Sequence, residues 1–289
     1  MTLTGPVALA VLFGALLHAS WNALIKSAAD KELDTALIHS IGFFLAFPLL
    51  LFTGLPAAAS WPYLLASMLV HIGYYVALAG AYRHGELGLT YPVMRGCAPL
   101  LVALSSQALI GESISPTAWA GVAAVCAGVV LLGLSPASLH ATDGHRGKAL
   151  RFALCNAAII AIYTIVDGLG VRASGDAAAY VAALFLFDGV PYLLLVLWRR
   201  GPQGRPAAWR YMASRWRIAC LGTAASLGSY GIALWAMTRA PVAVVAALRE
   251  TSVLFAALIG TLWLKERFGL QRALGTGVVV AGVMALRFG

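Results

Sequence analysis

The sequence predicts an all-α polytopic membrane protein of ten transmembrane helices, arranged as two inverted five-helix repeats. Three observations lead there. Hydrophobic residues make up 61% of the 289-residue chain and charged residues only 11%, against about 25% charged in ordinary soluble domains. The apolar residues gather in runs of roughly 18 to 24, the length that crosses about 30 Å of hydrocarbon as helix. The two halves also carry the same sparse polar marks at a constant spacing of 154 residues. A soluble chain of this length would need far more polar surface to cover its core.

The spans follow in order, each delimited by turn residues. The first covers 5–27; it lacks a basic leader and carries polar residues after His18, so it reads as a retained helix rather than a cleaved signal. The second (35–54) stops at Gly54 and Pro56, the third (61–83) before Gly85, and the fourth covers 87–110. The fifth (116–134) opens at Pro116 and stops before Pro136. The sixth (148–171) ends before Gly175, and the seventh (177–198) before the GPQGRP stretch at 201–206. The eighth (216–238) ends before Pro241, leaving 241–263 and 269–287 as the ninth and tenth. Runs this long and uniformly apolar exclude an outer-membrane barrel, whose strands are short and alternating.

The net charge of +9 is unevenly distributed. Loops after the odd-numbered spans, with their flanks, hold fifteen of the Lys and Arg residues; the other side holds Arg172, Arg239 and Arg287. The positive-inside rule makes the first set cytoplasmic and puts both termini outside, in what we expect to be a bacterial inner membrane. The basic stretch 199–217, with Trp209, Tyr211 and Trp216, is expected to lie against anionic lipid headgroups rather than nucleic acid. The four cysteines stand singly, without the spacing of a disulfide framework or zinc site, and no cofactor is expected.

Shifting the chain by 154 residues lays Arg95–Gly133 over Arg249–Arg287 with eleven identities in 39 pairs, among them Arg95/Arg249, Glu112/Glu266, Gly121/Gly275 and Gly128/Gly282. Two repeats follow, residues 1–140 and 141–289. Because five spans is an odd number, the second copy enters the membrane from the opposite side. Transporters built this way hold their site near the midplane between the halves.

Two five-helix repeats, the IGE and LKE endings of the fourth and ninth spans, and Gly/Val-rich fifth and tenth spans resemble the drug/metabolite transporter superfamily in its EamA-type branch. HASWNALIK (His18 to Lys26) also resembles membrane proteins found beside phosphonate-utilisation genes. The resemblance implies a central cavity lined by helices one, three, four, six, eight and nine. It implies small-molecule transport without selecting a substrate.

Arg95 and Arg249 are the most expensive residues, since a charge at mid-bilayer costs about 2.5–3.5 kcal/mol or more. Each stands eight residues into its span, about 12 Å deep from opposite faces, so the pair is expected to bracket the midplane. Two readings stand side by side. A guanidinium suits bidentate capture of carboxylate or phosphate; alternatively each arginine is a clamp onto carbonyls, Glu250, Asp167 or Asp188. Pro99, four residues beyond Arg95, leaves that residue's carbonyl free of an intrahelical bond.

Glu250 is the third charged candidate, able to balance Arg249, receive an amine or carry a proton. The polar candidates are His18, Trp21 and Asn22 on the first span, His71, Tyr74 and Tyr75 on the third, and Tyr91 on the fourth. Asn156, Tyr163 and Asp167 lie on the sixth, and Ser226 and Tyr230 on the eighth. His39 and Asp188 are expected to bond between helices. Glu112 and Glu266 are expected to accept backbone N–H groups of the next helix across a short turn. Small-residue faces (Ala120, Ala124, Gly128; Gly275, Gly277, Gly282) serve close packing within a monomer or across a homodimer.

The leading function is secondary transport of an anionic or zwitterionic metabolite (an amino acid, organophosphate or phosphonate) by alternating access. The alternatives are an exporter of drugs or cations on the same fold, and a polytopic membrane enzyme. No acid in the first span argues against the exporter. The lack of HExxH, GxSxG, P-loop or Asp-rich clusters argues against the enzyme. GLGVRA at Gly168 imitates a dinucleotide fingerprint but follows a membrane helix rather than a strand.

Overall fold

The computed structural model describes residues 3–84, 87–133, 146–262 and 269–288, excepting the side chains of residues 72, 75–84, 87–91, 146 and 260. Among the described residues the only regular structure is helical: α1 (Gly5–Lys26), α2 (Lys31–Thr53), a 3-10 turn (Ala58–Ser60), α3 (Trp61–His84), α4 (Leu87–Ile110) and α5 (Pro116–Gly133). There follow α6 (Arg146–Ala173), α7 (Ala177–Met237), α8 (Val242–Arg249), α9 (Ser252–Leu262) and α10 (Leu270–Phe288). Seven described helices are long and apolar enough to cross a membrane. Their outer faces fit that environment: Phe44, Leu51 and Phe52 of α2 are exposed, Phe52 by 90%, where a soluble protein would place polar groups.

Local chemistry explains the ends. Asp30 caps α2, accepting from Leu33 N–H at 3.1 Å, and Ser115 caps α5, accepting from Ala118 N–H at 3.0 Å with Pro116 behind it. Asp176 caps α7, accepting from Ala178 N–H at 2.7 Å. Gly54, Gly111 and Gly175 take φ of 73–78° to turn the chain, a conformation that costs glycine little. Gly85, Pro136 and Glu266 lie outside the described residues.

Two spans differ from expectation. The GPQGRP stretch is no loop: α7 runs through it, broken at Gly201 alone (φ 64°, ψ 174°) into limbs 177–200 and 202–237. Pro202 follows that break, where a fixed φ and missing N–H suit the first turn of a new helix. The ninth span is likewise two helices. Glu250 N–H bonds Ala247 O and Thr251 N–H bonds Leu248 O, both at 3.1 Å, a tight i→i+3 turn between α8 and α9.

Packing follows a reciprocal pattern. α3 packs on α6 and α1 on α7, α2 lies along both limbs of α7, and α5 packs on α10. The α5–α10 contact is self-complementary. A β-carbon on Gly121 would fall 2.9 Å from Gly282 O, and one on Gly282 would fall 2.9 Å from Gly121 O. Gly128 and Gly275 repeat the exchange at 2.9 and 3.1 Å. The face that packs is therefore Gly121/Gly128, not the Ala120/Ala124 row, since Ala120 is exposed; Gly277 faces open space.

Overpacking of this kind costs about 1–3 kcal/mol. Gly128→Val should therefore lower the thermal unfolding midpoint in detergent, whereas Gly277→Val should leave it unchanged.

Candidate functional site

Arg95 projects from α4 into the bundle, its side chain 12% exposed, with Nε 2.9 Å from Glu250 Oε2. Glu250 is the deeper partner at 6% exposure. The contact is an ion pair without the alignment of a hydrogen bond. It joins the two halves of the chain, and the shift that pairs Arg95 with Arg249 pairs Glu250 with Gly96. No acid fits at Gly96, where even a β-carbon would come 3.1 Å from Cys126 O and 2.5 Å from Val130 Cγ2. The acid therefore exists in one half only.

The turn between α8 and α9 brings the consecutive side chains of Arg249 and Glu250 to one cavity, together with Arg95, Tyr163 and Thr164 and with walls that include Pro99, Val102 and Ile160. The free space is about 10 Å³, room for about one water. Both arginines thus meet one small space between α4, α6 and α8. Arg249 is half-buried and its guanidinium carbon lies 5.1 Å from the centre of the Tyr230 ring. Among the described residues it makes neither an ion pair nor a side-chain hydrogen bond.

Behind the cavity stands a polar network on α6 and α7. Asp167, fully buried, accepts from Tyr180 Oη at 2.9 Å on Oδ1 and from Tyr230 Oη on Oδ2. Gly170 makes room for the Tyr180 ring, and Gly168 does the same for Val242; the GLGVRA glycines are packing residues. Tyr163 stacks on His71 with centroids 4.7 Å apart and meets Tyr74 edge-on at 6.1 Å. His71 Nδ1 lies 2.8 Å from Ser67 O. Asn156 donates from Nδ2 to Tyr74 O at 3.2 Å, while its buried Oδ1 has no hydrogen-bond partner among the described residues.

The sequence-derived candidates therefore divide. Arg95, Arg249, Glu250 and Tyr163 line the cavity; Tyr230, Asp167, His71, Tyr74 and Asn156 join it through the contacts above. His18 interacts electrostatically with both arginines. Asn22 instead donates to His18 O at 2.7 Å on its own helix. Trp21 lies edge-on between His18 and His39. Ser226 is buried on α7 away from the cavity lining. Tyr75 and Tyr91 lie outside the described side chains. Tyr180, Thr164 and Ser67 were not singled out; nothing in their local sequence sets them apart from other polar residues in apolar spans.

Three other charge groupings shape the molecule. His39 Nδ1 and Asp188 Oδ2 are 3.9 Å apart between α2 and α7, as expected. Glu112 does not cap the following helix α5. It bonds Arg172 Nη2 at 2.6 Å and accepts from Val242 N–H at 2.9 Å, so it caps α8 of the other half. At the opposite end, Arg200 bonds Asp30 at 2.8 Å and Arg215 bonds Asp34 at 2.6 Å. Arg199 lies 3.6 Å from Glu32. Half of the arginines assigned to lipid are thus spent on the acidic start of α2.

Residues 147–288 match the EamA-like transporter family. No curated protein matches the chain. One of 29 matching solved chains, described only as "Crystal structure of protein", shares the fold with a TM-score of 0.74 at 18% identity. That match covers 98% of this chain and 95% of the other.

Proposed function

Residues 147–288 match the EamA-like transporter family, and from that premise we propose that the whole chain belongs to it and carries a small metabolite with an anionic group across the membrane by alternating access. The family makes the protein a multi-pass membrane transporter. The half-buried Arg249 carries the reading of its cargo, because it lines the cavity and, among the described residues, makes no ion pair of its own. A half-buried guanidinium binds carboxylate or phosphate oxygens through short charge-assisted bonds.

The ten-span, inverted arrangement of residues 1–140 and 141–289 belongs to the same proposal. Its support is the 154-residue repeat and the reciprocal glycine contacts between α5 and α10. Such a chain has two conformations of similar energy related by exchange of its halves. Since the α5–α10 face is consumed internally, we read the working unit as a monomer. The charge bias sets the orientation, with termini outside in a bacterial inner membrane. Arg210, Arg217 and the exposed Trp209 and Trp216 are left for lipid headgroups.

The test is a thermal-unfolding panel on the purified protein with carboxylates, phosphonates, phosphate esters, amino acids and quaternary amines. Compounds with an anionic group should raise the midpoint, and those that do should exchange across liposomes holding the protein. Stabilisation by cations alone would overturn the reading.

A further inference from the structure

Among the described residues Arg249 has no acid to itself, while Arg95 is held by Glu250 at 2.9 Å. Resting on the anion-site reading, we propose that Glu250 is an internal stand-in for the anionic group of the substrate. It holds Arg95 while the site is empty, yields it when a ligand enters, and admits only an anion that brings its own positive charge.

Charge accounting at the site carries the argument. The guanidinium groups and acids at and directly behind the cavity are Arg95 and Arg249, both half-buried, and Glu250 and Asp167, both buried; the imidazoles of His71, stacked on Tyr163, and of His18 stand nearby. Both Asp167 oxygens accept phenolic hydrogens from Tyr180 and Tyr230, the pattern of an ionised carboxylate. Two guanidinium groups and two carboxylates then balance. A bare anion would leave the site with excess negative charge beside the buried carboxylates of Glu250 and Asp167, a cost that their burial raises.

A zwitterion adds none. Its anionic group would bridge Arg249 and Arg95, and its ammonium would take the released Glu250 carboxylate. Asp167 is committed to its two tyrosines, so Glu250 is the acid able to respond. The groups coupled to Glu250 fit this. They are Arg95 on α4, the adjacent Arg249, the thiol of Cys126 on α5 and Tyr163 on α6. Neither the thiol nor the phenol supplies a replacement cation. The unaligned geometry of the Arg95–Glu250 contact also suits a partner that must be exchanged rather than locked.

Matched probes test this by binding to the purified full-length chain: alanine against propionate, and 2-aminoethylphosphonate against ethylphosphonate. In the wild-type protein the amino member should bind about tenfold or more tightly than its des-amino partner. Glu250→Gln should remove that preference in both directions, weakening the zwitterion and strengthening the plain anion by about tenfold, because Arg95 is released. Equal wild-type affinities within each pair overturn the role of Glu250 while leaving the anion site standing. Binding of neither member, with quaternary amines bound instead, overturns the anion site itself. The wild-type comparison needs no variant, and Glu250→Asp, which keeps the charge, should retain the preference if Glu250→Gln does not fold.

Discussion

Replacing Arg249 by alanine should reduce transport about a hundredfold or more while leaving the protein folded. A charge-assisted hydrogen bond contributes about 1.5–3 kcal/mol, and a guanidinium gripping one anion makes two, which places the loss at that scale or above. The structural cost is small because, among the described residues, the side chain holds no acid. What it loses is the contact with the Tyr230 ring at 5.1 Å, worth about 0.5–2 kcal/mol.

Arg95→Ala makes the opposite case. It strands the Glu250 carboxylate, only 6% exposed, and removing one member of a buried pair costs about 3–5 kcal/mol. The two repeat-related arginines should therefore separate. Liposome uptake collapses in Arg249→Ala with a nearly unchanged unfolding midpoint, whereas Arg95→Ala unfolds several degrees earlier. An Arg249→Ala protein that unfolds as early as Arg95→Ala would return Arg249 to architecture, and retained uptake would end its role as an anion site.

The sequence made the all-helical, membrane-spanning character legible because that character rests on a local quantity, hydropathy over a window. It also brought out Arg95, Arg249, Glu250 and Tyr163, since charge and aromatic hydroxyls stand out against an apolar run. What it could not give was partnership. Within one helix, neighbours are read from i, i+3 and i, i+4 spacing. Across helices the sequence left Glu250 as one of three acids onto which Arg95 could clamp without choosing it, and it held no sign that Glu112 caps a helix 130 positions on.

The same limit explains α2. Its acidic start, Asp30, Glu32 and Asp34, reads in sequence as an ordinary solvated helix end, yet it holds Arg200 and Arg215. Adjacency on a helix also proved a poor guide at Asn22, whose amide turned to its own backbone. The breaks at Gly201 and Glu250–Thr251 were hidden for another reason. One was masked by prolines that the fold uses to start a helix rather than to make a loop, and the other carries no glycine or proline at all.

Glu112→Ala should be among the most destabilising single substitutions outside the cavity. One carboxylate serves two needs. Oε1 takes Arg172 at 2.6 Å, and Oε2 takes the first N–H of α8 at 2.9 Å, where Pro241 supplies no side-chain cap. Arg172 is in turn spread over Met237 O at 2.8 Å and Ala240 O at 3.2 Å. The glutamate thereby ties the end of α4 to α6, α7 and α8. Its side chain is 12% exposed and that of Arg172 is 21% exposed, so solvent relieves little of the loss.

Removing the acid leaves a cation facing only carbonyls and an N–H without an acceptor, a cost of about 3–5 kcal/mol for the pair with the cap adding about 1. Glu112→Gln keeps an oxygen for Val242 N–H but not the charge, and should fall between alanine and the native residue. Thermal unfolding in detergent of the three proteins reads the order directly. Equal midpoints for all three would show that the clamp contributes nothing to stability, and the glutamate would then have to be explained by the transport cycle instead.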